Sequence, residues 1–149
     1  MTNYHQRHLG RELALQWLFE IDVSQQPPEL VMAHVPEGVE ELEVIKEEGV
    51  AYAQQLVHGV RAHQPQLDEI IVKYAREWTI DRMAAIERNI LRIALEEILY
   101  LPDVPASVSI NEAVDIAKQY ASDESGKFVN GILGAYLRSD EGKAQVAEG

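Results

Sequence analysis

Residues 103–134, DVPASVSINEAVDIAKQYASDESGKFVNGILG, decide the fold, because they predict two consecutive helices. Ser109 and Glu112 have the S-x-x-E spacing of a capping box, which predicts that the first helix begins near Ile110. A small polar break over residues 122–126 separates it from the second helix. Apolar residues recur at helical spacing in that second helix: Phe128, Val129, Ile132, Leu133, Tyr136 and Leu137. Each helix is therefore expected to bury one face.

Periodicity predicts helices in most of the remaining chain. They are expected over residues 7–23, over 42–60 with an end before Pro65, over 67–74, and from Asp81 to Leu101 with Thr79 as a cap. Residues 24–40 hold three prolines and are expected to form a connector. No segment alternates as a strand does, so the predicted fold class is all-α. The polar tail over residues 139–149 has no apolar stripe and is expected to be disordered, leaving one domain over residues 1–138.

Composition limits the classes of function. The chain has 149 residues, no Cys and a formal net charge of −12. A thiolate metal site is excluded, and the absence of a long apolar run or an apolar leader predicts a cytoplasmic protein without a membrane span. The charge has the wrong sign for binding nucleic acid by phosphate neutralisation alone. A role with RNA would therefore rest on a local basic patch or on a basic partner.

Several runs together resemble one family. These are RELALQWLFEID, IERNILRIALEEILYL, DVP, INEAVDIAK and SGKFVNGIL, which cover most of the chain apart from residues 24–50. The sequence resembles the NusB family of bacterial transcription antitermination factors. The resemblance implies two three-helix bundles packed side by side. It also implies binding of boxA-type single-stranded RNA together with NusE, a basic ribosomal protein of the small subunit. That activity would act on RNA polymerase at rRNA operons, with other Nus factors.

The resemblance also implies a set of site residues. An arginine-rich motif that contacts RNA maps to Arg7, His8 and Arg11, and it is thinner than usual because His8 is expected to be mostly neutral at pH 7. Further RNA contacts map to Phe19, Lys127, Phe128 and Asn130, and Glu87 maps to the helix that faces NusE. Each has a structural alternative. In that case the cations would lie at a solvated helix start, and removing their side chains would cost little stability. The aromatic rings would be core residues, and Glu87 would face solvent.

No catalytic or metal site is predicted. His58 and His63 fall on different helix faces, and residues 125–127 lack the earlier glycine and the Ser or Thr of a phosphate-binding loop. The adjacent Glu96 and Glu97 diverge on a helix. We therefore expect no enzyme and no cofactor. Alternatives remain open: an adaptor whose RNA binding depends wholly on its basic partner, an acidic docking surface over residues 37–48, and a homodimer. An RNA methyltransferase appendage is disfavoured because no cofactor-binding βαβ region follows.

Overall fold

A computed structural model describes residues 3–76 and 79–148, with side chains to residue 145. Its described part contains seven α-helices and two short 3-10 turns, Glu40–Val44 and Ile80–Arg82, and no strand. The prediction of an all-α fold is therefore confirmed. The helices are α1 (Tyr4–Ser24), α2 (Pro28–Val31), α3 (Glu47–Ala75), α4 (Ala85–Tyr100), α5 (Ala106–Tyr120), α6 (Asp123–Arg138) and α7 (Asp140–Glu148).

Helix α3 is continuous through Pro65, so the predicted break between two shorter helices is wrong. Proline inside a helix removes one backbone hydrogen bond and costs about 3 kcal/mol. Here the apolar stripe runs on both sides of that point, with Val60 before it and Leu67 and Ile71 after it, all fully buried. Packing of both halves against one core outweighs the local cost of the proline.

Two predicted helix starts are also corrected. Residues 40–44 form a 3-10 turn, so α3 begins at Glu47 rather than at Leu42. Likewise, α4 begins at Ala85 rather than Asp81, and the side chain of Thr79 makes no cap. Apolar periodicity extends beyond both helices because Leu42, in the first turn, and Met83, just after the second, are buried without belonging to the following helix.

The helices pack as two adjoining groups around a continuous core. In the first group α1 contacts α2 and α3, and in the second α5 packs between α4 and α6. Packing of α4 on both α1 and α3 joins the two groups. The largest fully buried side chains come from both: Leu13, Trp17, Leu56, Leu91, Leu95, Leu133 and Tyr136.

Ion pairs with matched geometry tie α1 and α3 to α4. Arg88 donates two hydrogen bonds to Asp22, from Nε at 2.7 Å and from Nη2 at 2.9 Å. Arg92 donates two to Asp68, at 2.8 and 3.0 Å. Such paired hydrogen bonds fix the relative orientation of the two side chains as well as stabilising the contact. They account for the two arginines in the first half of α4.

The predicted capping box does not form at the start of α5. The helix begins earlier, at Ala106, after Pro105, whose fixed φ suits a helix start. Ser109 is buried, its hydroxyl has no hydrogen-bond partner among the described residues, and Glu112 turns towards α1 instead. A side-chain cap does occur on α6, where the Ser122 hydroxyl accepts from the Ser125 N–H at 3.1 Å.

The C-terminal residues also depart from the prediction of a disordered tail. Residues 140–148 form α7, while Gly149 lies outside the described residues. The Ser139 hydroxyl accepts from the Gly142 N–H, and Gln145 donates to the Leu99 carbonyl at 3.1 Å. Local capping and a contact with α4 order a segment that has no apolar stripe of its own.

Candidate nucleic-acid interface

The first turns of α1 are held against α3 and the connector before it. Asn3 caps α1 by accepting from the Gln6 N–H. The Gln6 side chain then donates to the Val44 carbonyl and accepts from the Lys46 N–H. A Cβ added at Gly10 would lie 2.8 Å from the carbonyl oxygen of Gly49, so glycine is required for this close helix contact. The predicted cations of α1 therefore occupy fixed positions.

Arg7 lies at the edge of this contact and stays accessible. Its side chain is 23% exposed and donates to Asp103 at 2.7 Å, with the guanidinium 5.1 Å from the centroid of the Tyr52 ring. The hydrogen bond from Arg7 lowers the pKa of the Asp103 carboxyl. Because the carboxylate is itself largely exposed, the pair is screened by water and can exchange for a phosphate.

His8 is a cation, which corrects the expectation of a neutral side chain. Its Nδ1 lies 2.5 Å from a Glu112 oxygen and its Nε2 lies 3.3 Å from a Glu12 oxygen. The hydrogen bond with Glu112, together with the nearby Glu12 carboxylate, raises the pKa of His8 to about 10, so the imidazole is protonated at pH 7. Burial works against ionisation of Glu112, but the hydrogen bond and charge of His8 outweigh it and lower its pKa.

Arg11 is buried, which contradicts its prediction as a side chain on an exposed helix start. It is 4% exposed, donates from Nε to Glu97 at 2.8 Å and lies 3.8 Å from Glu112. Tyr52 also donates to Glu97, and burial followed by the Glu97 charge raises the pKa of Tyr52, so its hydroxyl stays protonated. Arg11 is thus a structural cation beneath the surface formed by Arg7 and His8.

Phe19 lies in the second half of α1, which ends at Ser24. The ring is half-buried and borders a shallow groove of about 300 Å³ with Gln16, Val23 and Pro36. An RNA contact by Phe19 therefore stays a prediction.

Lys127, Phe128 and Asn130 lie together near the start of α6. Lys127 and Asn130 are exposed, while Phe128 is half-buried and packs against the core. Phe128 borders two grooves. A smaller groove of about 300 Å³ is bordered by Met83, Glu87, Glu124 and Phe128, and a larger one of about 560 Å³ is bordered by Phe128 and Lys127 among others.

Glu87, the candidate partner contact, is half-buried in the first turn of α4 and shares the smaller groove with Phe128. The structure thus brings the candidate RNA residues of α6 next to the candidate partner residue of α4. Arg7 and His8 lie elsewhere, where α1 meets α3 and α5.

Sequence reasoning missed the acidic residues that hold the α1 cations. Of these, only Glu12 has a local signal, since it lies four residues after His8. Asp103 and Glu112 come from distant parts of the chain, and the sequence pattern predicts a helix-cap role for Glu112 instead.

In the described residues no group of three or more His, Cys, Asp or Glu side chains could hold a metal ion. Within the same residues, no helix combines the length and apolar character needed to cross a membrane.

The described residues form an all-helical protein whose surface carries open grooves bordered by charged and aromatic side chains. The NusB family model matches residues 8–138. The transcription antitermination protein NusB of Salinispora arenicola is 45% identical over 128 residues, which cover 86% of this chain and 92% of that protein. The chain belongs to the NusB family.

Solved structures agree with this assignment. NusB of T. maritima matches with a TM-score of 0.77 and 29% identity, covering 99% of each chain. A crystal structure of antitermination factors NusB and NusE in complex with dsRNA contains a chain that matches with a TM-score of 0.76 and 32% identity. That match covers 93% of this chain and 97% of the other. The predicted NusB-like fold is therefore confirmed.

Proposed function

We propose that this protein is a cytoplasmic transcription antitermination factor. In this proposal it binds boxA-type single-stranded RNA together with NusE and acts on RNA polymerase at rRNA operons, with other Nus factors. Its role is to bind, not to catalyse. The observation that carries the proposal is the α6 face, formed by exposed Lys127 and Asn130 and by half-buried Phe128, which borders a groove together with Glu87. Family membership and the related complex of NusB, NusE and dsRNA support it.

The chemistry of this face suits single-stranded RNA. Recognition of unpaired RNA uses cations for phosphates, aromatic rings for stacking and amide groups for base edges. Lys127, Phe128 and Asn130 supply one of each within a single helical turn. Arg7 is a further accessible cation at a second position, paired with the largely exposed Asp103, whereas His8 is paired with Glu12 and Glu112.

Charge also supports a shared RNA site. The chain carries a net −12, so it neutralises few phosphates without help. A basic partner beside Glu87 would add positive charge next to the α6 face, and opposite charges would speed the association of the two proteins.

One observation favours a second candidate function, an adaptor whose RNA binding depends wholly on its partner. All three predicted α1 cations are held by carboxylates of the same chain: Arg7 by Asp103, His8 by Glu12 and Glu112, and Arg11 by Glu97. Phosphates would have to compete with these carboxylates.

Titration of boxA-type RNA with the complex of this protein and NusE tests the proposal. Lys127→Ala should weaken binding by about 1–3 kcal/mol, the range for a charge-assisted contact. Lys143→Ala, which removes another exposed lysine on α7, is the matched control and should leave the affinity unchanged. Equal affinities of the wild type and the Lys127 variant would remove the α6 face from the RNA site, and the absence of any RNA binding would refute the function.

A further inference from the structure

The larger groove beside Phe128 lies where the end of α3 meets α6. It is bordered by Tyr74 and Arg76 from one side and by Lys127, Phe128 and Arg138 from the other, with a volume of about 560 Å³. That volume falls within the roughly 300–1,000 Å³ of ordinary ligand clefts. The groove is open rather than enclosed, so it can receive a chain that passes through it.

The described lining of this groove is positively charged, although the protein is strongly acidic. Three of its described lining residues are cations, Arg76, Lys127 and Arg138, and none is a carboxylate. All three are exposed, and none forms an ion pair with a described residue. By contrast, the arginines of the α1 and α4 surfaces are paired with acids. Exposed cations concentrated in one cleft attract an anionic ligand.

Aromatic walls identify the kind of anion. Phe128 and Tyr74 are both half-buried and border the groove, and Tyr74 is held edge-on to Tyr136 with ring centroids 5.9 Å apart. Cations that follow a backbone, combined with aromatic rings, are the features with which proteins bind unpaired nucleic acid. An acidic peptide would also pair with the cations, but it has no bases to stack on the aromatic rings.

We propose that this groove binds a flanking segment of single-stranded RNA, continuous with the segment bound at Lys127 and Phe128. Arg76 and Arg138 contact its phosphates. The inference rests on the proposed function and extends it, since it adds two contact residues and predicts that affinity depends on RNA length. The RNA site then continues across Phe128, from the groove shared with Glu87 to the groove between α3 and α6.

Two RNA lengths and one double variant test the proposal. The complex with NusE is titrated with a boxA-type RNA, and with the same RNA extended by several unstructured nucleotides at either end. The variant is Arg76→Gly combined with Arg138→Ala. Glycine is chosen because Arg76 has φ of 60°, a left-handed conformation that glycine adopts without strain, so folding is preserved. Thermal melting of the variant verifies this.

Wild type should bind the extended RNA more tightly than the short one, and the double variant should lose that advantage while binding the short RNA normally. Its slope of log K against log salt for the extended RNA should become shallower by about 1.4, since each phosphate contact to a single strand contributes about 0.7. The matched control is Arg61→Ala, which removes another exposed cation of α3 about 22 Å along the helix from Arg76, at 1.5 Å per residue. This control should retain the advantage.

Each other outcome has a definite meaning. Persistence of the length advantage in the double variant would overturn the proposal. If the wild type bound the short RNA but bound the extended RNA no more tightly, the groove proposal would be overturned and the proposed function would stand. Failure of the wild type to bind either RNA would refute both. Binding of a polyglutamate peptide by the wild type but not by the variant, without a length advantage, would assign the groove to an acidic protein segment and contradict an RNA site.

Discussion

Replacing Arg11 with Ala is expected to destabilise the protein strongly. The side chain is 4% exposed and donates to Glu97 at 2.8 Å, and Glu97 is equally buried. Its removal would leave the Glu97 carboxylate with the Tyr52 hydroxyl and no balancing charge. Breaking a buried ion pair by removing one partner costs about 3–5 kcal/mol. For a chain of this length that corresponds to roughly 6–20 °C in melting temperature, at about 2–4 °C per kcal/mol.

Urea denaturation followed by circular dichroism measures this loss. Arg7→Ala is the matched control, because its partner Asp103 is 64% exposed and such a pair contributes at most about 1 kcal/mol. Adding Glu97→Gln to Arg11→Ala should restore part of the stability, since no unpaired carboxylate then remains buried. A loss for Arg11→Ala no larger than that for Arg7→Ala would refute the assignment of Arg11 as a structural cation.

Three further predictions concern stability. The pKa of His8 is raised from 6.5 to about 10, so protonated His8 stabilises the fold below about pH 6.5, and this contribution is lost as the pH rises towards 10. Between pH 6.5 and pH 10, the free energy of unfolding should therefore fall more for the wild type than for His8→Gln. Equal decreases would contradict the ion pairs of His8 with Glu12 and Glu112. Gly10→Ala should destabilise by about 1–3 kcal/mol, because the new methyl group lies 2.8 Å from a backbone oxygen of α3. The matched Gly131→Ala, with nothing within 4 Å, should instead stabilise α6 by about 0.5–1 kcal/mol, and the reverse order would refute this reading. Truncation after Arg138 should lower the melting temperature only slightly, because α7 contributes few buried groups; a large loss would show that α7 supports the core.

Sequence periodicity predicts where helices exist better than where they begin or end. Apolar spacing placed α1, α4, α5 and α6 because each buries a continuous stripe. The same reasoning failed at Pro65, where local propensity opposes the helix and burial of Leu67 and Ile71 supports it. It failed again for α7, whose order depends on a cap at Ser139 and a contact with α4.

The candidate site was predictable where exposure follows from helical position alone. Lys127 and Asn130 lie beside the apolar stripe of α6 and are exposed. Arg11 and His8 could not be assessed in that way, because their partners Glu97 and Glu112 are 86 and 104 residues distant in sequence. Contacts over such separations decide whether a cation is free or paired, and a single sequence does not reveal them.

The salt dependence of RNA binding tests most directly whether the RNA site is shared with a basic partner. Binding of boxA-type RNA by the isolated protein and by its complex with NusE should be titrated at several salt concentrations. A chain of net charge −12 should bind weakly, with a shallow slope of log K against log salt. The complex should bind more tightly and with a steeper slope, since each added phosphate contact contributes about 0.7 to it. Tight binding by the isolated protein, with the same slope as the complex, would contradict the shared site.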